Sequence, residues 1–149
     1  MQSFERGIDM PTRKFLGYLC AGVLLPVGIA GAQAASTVEV DRQTAEGREV
    51  RLSTEVSWDH QCQRQGTPVV TVVAPPSSGE ISTRPASKTV QGNLVGSTSC
   101  TGMRMEGVGV FYAPQPGFRG SDHVRYDVRY PNGQTVHFAA HIQVKASAP

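Results

Sequence analysis

The chain has 149 residues and a formal net charge of +2, a length that suits one domain. Setting aside Glu5, Arg6, Asp9, Arg13 and Lys14 from the 14 basic and 12 acidic residues leaves eleven against ten. A domain so near neutrality has no overall field to steer it onto nucleic acid or an anionic membrane.

Residues 1–34 read as a secretory signal peptide. Arg13 and Lys14 precede an apolar run from Phe15 to Ile29, and the small-residue pattern Ala32-Gln33-Ala34 closes it. The run is shorter than the roughly 20 residues of a membrane span. Met1 to Asp9 carries Glu5 and Asp9, an unusual beginning for such a signal, so the start is Met1 or Met10. Cys20 follows Leu19, where a lipid anchor needs a small residue, and it leaves with the signal. The expected mature domain is residues 35–149, exported to the periplasm or beyond. There, Cys62 and Cys100 are the two cysteines left, and in an oxidising compartment they predict a disulfide. A loop of about 38 residues closed in this way stabilises a fold by about 3–4 kcal/mol.

From Val38 onward the apolar period is two, with no stretch of helical period over three turns. Val38 and Val40 open the series. Val50 and Leu52 follow, then Val56 and Trp58 after polar Thr54. Pro68 to Val73 is a β-branched run, bounded by the turn cluster Pro75-Pro76-Ser77-Ser78-Gly79. Ile81 is expected to start a short strand that Pro85 stops, with a polar loop over 86–93 and a weak strand over 94–100. Gly107 to Ala113 reads as a strand ending at Pro114.

The last two strands are the clearest. Val124, Tyr126, Val128 and Tyr130 alternate with His123, Arg125, Asp127 and Arg129. Beyond Pro131-Asn132-Gly133, the series Val136, Phe138, Ala140, Ile142 and Val144 alternates with His137, Ala139, His141 and Gln143. A two-residue turn would set Arg129 against Val136 and mix the faces, so parity requires a three-residue turn. That register pairs Tyr126 with Phe138, Asp127 with His137, and His123 with His141. Seven or eight short strands of this kind predict an all-β, antiparallel, two-sheet sandwich, with Trp58 close to Cys62.

Tyr112-x-Pro114, followed by Gly117-Phe118-x-Gly120-x-Asp122-x-Val124-x-Tyr126-x-Val128, resembles the cadherin-like and bacterial Ig-like domains repeated in surface adhesins. Pro76-Ser77-Ser78-Gly79-Glu80-Ile81 extends the likeness, which spans residues 68–144. It implies an Ig-like sandwich without catalytic chemistry. Gly117 and Gly120 suit a tight loop with positive φ, Asp122 an Asx-type role within that loop, and Tyr112 and Tyr126 the core. The chain departs from the family in holding one copy, in placing Tyr130 where relatives carry a second acidic residue, and in its cysteine pair.

His123, Arg125, Arg129, His137 and His141 share the outer face of the last two strands, with Asp127 among them. This is the expected contact face, for a protein or an acidic envelope polysaccharide, and protonated histidines would strengthen it in acid. His137 and His141 lie about 13 Å apart along one strand, too far to share a metal, whereas His123 and His141 are neighbours. Met103, Met105, His60 and reduced Cys62 and Cys100 would suit copper(I), the alternative function. Hydrolytic motifs are absent: no glycine-x-serine-x-glycine, no HExxH, no phosphate loop. Asp59 and His60 would point to opposite faces of a strand. The expectation is an exported non-catalytic binding or structural module with no cofactor, ahead of a copper carrier and an unmotifed hydrolase.

Overall fold

The computed structural model describes residues 37–91 and 100–147. The proposed signal peptide and all but the last residue of the weak strand expected over 94–100 lie outside these residues. Seven strands are described: β1 Thr37–Ala45, β2 Val50–Glu55, β3 Val69–Ala74, β4 Gly79–Thr89, β5 Arg104–Pro114, β6 Gly120–Arg129 and β7 Thr135–Lys145. They form two sheets, of order β1-β7-β6-β3 and β2-β5-β4. Strands β2, β5 and β4 over β7, β6 and β3 reproduce the Greek-key order of an immunoglobulin-like sandwich, with the first strand beside the last. Among the described residues, no helix is long and apolar enough to cross a membrane.

The period of two buries one face per strand. Val124, Tyr126 and Val128 of β6 and Phe138, Ala140, Ile142 and Val144 of β7 meet Leu52, Val110 and Tyr112 of the opposite sheet. Tyr126 stacks on Phe138 with ring centroids 5.0 Å apart. A second apolar cluster holds Val56, Trp58, Val90, Cys100 and Met105, with Cys62 against it. Trp58 therefore lies close to Cys62, as expected, in a cluster separate from the central one. Cys62 and Cys100 are disulfide-bonded, their Cα atoms 5.4 Å apart.

The β6–β7 hairpin has the predicted register throughout, with Tyr126 opposite Phe138 and Val128 opposite Val136. Its three-residue turn closes with Tyr130 N–H donating to Gln134 O at 2.8 Å, and Gly133 takes φ 87°.

Four expectations are corrected. β4 does not stop at Pro85 but runs on to Thr89, with Pro85 in register with Val108. It is an edge strand, so the missing N–H can face outward, where no ladder bond is needed. β2 ends at Glu55, before Val56 and Trp58. Consecutive burial of Thr54, Glu55 and Val56 cannot persist on an alternating strand, and the pairing with β5 already shifts between Arg51 and Ser53. β5 begins at Arg104, earlier than expected. Finally, the sandwich is not wholly antiparallel: β1 runs parallel to β7, from Thr37 beside His137 to Ala45 beside Lys145, and the chain crosses to the other sheet after it.

Candidate functional site

The outer face of the four-stranded sheet is built by the residues that alternate with the core series. His123, Arg125 and Arg129 of β6 and His141 of β7 are exposed, and Asp127 and His137 are half-buried. The register sets these side chains in lateral rows. Asp127 faces His137 and His123 faces His141, while β1 adds Asp41 beside His141 and Glu39 beside Ala139.

Two of the three acidic groups in this array lie against histidines, while exposed Asp41 makes no ion pair among the described residues. His137 Nδ1 lies 2.7 Å from Asp127 Oδ1, and His141 Nε2 lies 3.2 Å from Glu39 Oε2. His123 and His141 meet through their Nδ1 atoms at 2.8 Å, with the rings edge-on. Two Nδ1 atoms form a hydrogen bond only with one proton between them. Arg125 and Arg129 make no ion pair among the described residues. Arg125 is flanked by Ala139 and Ala74, and Arg129 by Thr135 and Val69, all uncharged. The result is a face on which Asp127–His137 lies between two guanidiniums without ion pairs, about 13 Å apart along β6, and His123–His141 lies beyond Arg125.

The motif residues do structural work of another kind. Gly117 and Gly120 adopt φ 80° and 133°. Asp122 is 2% exposed, yet it does not serve its own loop as expected. Its carboxylate accepts from Ser77 N–H and Ser78 N–H at 2.9 Å, from Ser77 Oγ at 3.0 Å and from the Tyr112 hydroxyl at 2.9 Å. His123 N–H adds a fifth bond at 2.9 Å. The clamp ties β6 to the turn before β4, while Pro114 is buried at the end of β5. Burial pushes the carboxyl up, but the three N–H groups and the Tyr112 hydroxyl outweigh it and hold Asp122 below the ordinary carboxylate range. Burial, then Asp122, raise the Tyr112 hydroxyl well above its ordinary value, so it remains a donor. The Tyr126 hydroxyl, pushed up to about 12 by burial, donates to Ser53 Oγ at 2.9 Å.

Two features escaped the sequence. Glu39 is a polar residue on an alternating strand like many others, and its parallel placement next to β7 has no local signature. Glu55 is buried and accepts from the Tyr130 hydroxyl at 2.6 Å. Burial first, then the Glu55 carboxylate, raise Tyr130 strongly. This pair lies at a groove of about 770 Å³ between the edges of β1 and β2, lined also by Val38, Leu52, Phe138 and Lys88. The break in alternation at Thr54-Glu55 was the available signal.

The sulfur-rich cluster does not assemble as copper(I) would require. Both cysteine sulfurs are in the disulfide, Met105 is buried, and Met103 lies before β5 and is exposed. Asp59 and His60 occupy a turn instead of a strand. Asp59 Oδ1 accepts from Gln61 N–H and Gln63 N–H at 2.9 and 2.8 Å. Among the described residues, no group of three or more His, Cys, Asp or Glu is arranged to hold a metal ion.

Compared with models of known protein families and with curated proteins, the sequence matches none.

Proposed function

We propose that this chain is an exported, non-catalytic Ig-like module of the bacterial cell envelope, which binds an acidic envelope polysaccharide or an acidic protein surface through the outer face of β6 and β7. The observation that carries this reading is the charge arrangement there. The carboxylates of Asp127 and Glu39 are engaged by His137 and His141, and Arg125 and Arg129 stand without ion-pair partners among the described residues. Exposed guanidiniums present a planar fork of donors that matches carboxylate and phosphate groups. Export is supported by the basic, apolar and small-residue order of residues 13–34 and by the Cys62–Cys100 disulfide, a bond of oxidising compartments.

The test is capture from envelope extract by the mature protein and by the double variant Arg125→Glu/Arg129→Glu. The variant is expected to lose the captured component. Undiminished capture by the variant would rule out this face.

A further inference from the structure

Neutral imidazole is the commonest metal ligand among side chains, and it ligates through a ring nitrogen that carries no proton. The chain has four histidines. His60 sits in the turn before Cys62, and His137 has its Nδ1 against Asp127 Oδ1 at 2.7 Å. His123 and His141 are the two that bring ring nitrogens together, their Nδ1 atoms 2.8 Å apart across the β6–β7 ladder.

Glu39 decides where the proton on His141 sits. His141 Nε2 lies 3.2 Å from Glu39 Oε2, and an ionised carboxylate only accepts, so Nε2 holds the proton. The Nδ1 of neutral His141 keeps its lone pair and directs it at His123. An imidazole whose far N–H is donated to a carboxylate has the support that lies behind metal-ligating histidines. The proton between the two rings then belongs to His123 Nδ1. Moving it to Nε2 of the same exposed ring leaves two lone pairs side by side, with no proton gained or lost.

The spacing selects the ion. Ring nitrogens bind first-row metals at about 2.0 Å, so two of them stand about 2.8 Å apart at a right angle and about 3.3 Å apart in a tetrahedron. The observed 2.8 Å fits the right angle. Square-planar sites of nitrogen and oxygen suit copper(II) and nickel(II), and copper(II) binds the more tightly. Both rings border a depression of about 360 Å³ that Asp41, Ser121 and Gln143 also line. The charge around it is balanced: Glu39 and Asp41 of β1 lie beside His141 and offset Arg125 and Arg42, and the Arg42 guanidinium is turned onto the carbonyls of β2.

We propose that His123 and His141 form a binding site for one copper(II) ion, each through Nδ1, with the ion standing where the shared proton stood. Water fills the remaining positions, since among the described residues no third His, Cys, Asp or Glu is placed to ligate. The site is distinct from the sulfur cluster around Cys62 and Cys100. It is also independent of the outer-face reading, because Arg125→Glu/Arg129→Glu can abolish capture while leaving both ligands in place.

The test is titration of the mature, disulfide-bonded protein, free of any affinity tag, with copper(II), followed by calorimetry and electron paramagnetic resonance. One equivalent should bind at least about tenfold more tightly than zinc(II) does. Its spectrum should show two imidazole nitrogens coupled to the copper. His123→Ala and His141→Ala should each weaken binding at least about tenfold. Glu39→Ala, which leaves both ligands and removes the acceptor of the His141 N–H, should weaken it by about tenfold. His137→Ala should leave it unchanged. Residues 39, 123 and 141 are exposed, so these variants should fold, and the spectrum of the parent decides without any variant. Fewer than two coupled imidazoles, zinc(II) bound as tightly, or unchanged affinity in any of the three exposed-site variants overturns the proposal.

Discussion

Replacing Asp122 by alanine removes the acceptor for five hydrogen bonds at once. Water can replace it at exposed Ser77, but less readily at half-buried Ser78 and not at Tyr112, which is fully buried. A buried donor left unpaired costs about 1–3 kcal/mol, so these two donors set a loss of about 2–6 kcal/mol, and we expect about 4 kcal/mol. The assay is equilibrium urea unfolding at pH 7, read by the fluorescence of Trp58, the one tryptophan of the chain. With a slope of about 2 kcal/mol per molar, the midpoint should fall by roughly 2 M. A pH series adds a second reading. Asp122 is held below its ordinary value of 3.8 in the folded state, so its stabilisation is complete above that value. It is lost as pH falls through the lower folded value, giving the parent a decline in acid below about pH 4 that the alanine variant lacks. Tyr112→Phe should cost less in the alanine background than in the parent, since its hydroxyl there keeps only the long bond to Ser78 O at 3.4 Å. A loss under about 1 kcal/mol for Asp122→Ala, or an unchanged acid decline, would refute the clamp as a source of stability.

Replacing Cys62 and Cys100 together by serine should lower stability by about 3–4 kcal/mol, measured by the same unfolding assay, with the β6–β7 face still folded by circular dichroism. Gly107→Ala should be severely destabilising, by about 3 kcal/mol or more, in thermal unfolding. Its Cβ would stand 1.9 Å from the Glu55 carbonyl oxygen, a clash that only backbone movement between β2 and β5 can relieve.

The elements legible in the sequence are those whose information is local. Register in β6–β7 follows from two alternating runs and a turn whose length parity fixes, so His123–His141 and Asp127–His137 could be placed without coordinates. β3 was readable as a β-branched run between prolines. The extension of β4 through Pro85 was not, because a proline breaks a ladder only where its N–H is needed, and edge position is a property of the whole sheet. Non-local partners were equally hidden. Nothing near Asp122 announces Ser77 and Ser78, and nothing near Glu55 announces Tyr130, since each pair meets only when the two sheets close. Glu39 reaches His141 through a parallel pairing that joins the first and last strands. The residues of the proposed contact face were therefore visible, whereas the pairing that leaves two arginines without ion pairs depended on the fold.

The parallel course of β1 beside β7 has a mechanical consequence. Thr37 begins at one end of the ladder and Lys145 finishes at the other, with nine register pairs between them. Tension applied through the residues preceding Thr37 and following Lys145 pulls the two strands lengthwise past each other. The ladder bonds are then loaded together in shear, not opened one at a time as in an unzipped hairpin. A load applied between the two ends would be carried by the β1–β7 ladder, whose rupture would set the force at which the rest of the sandwich begins to unravel.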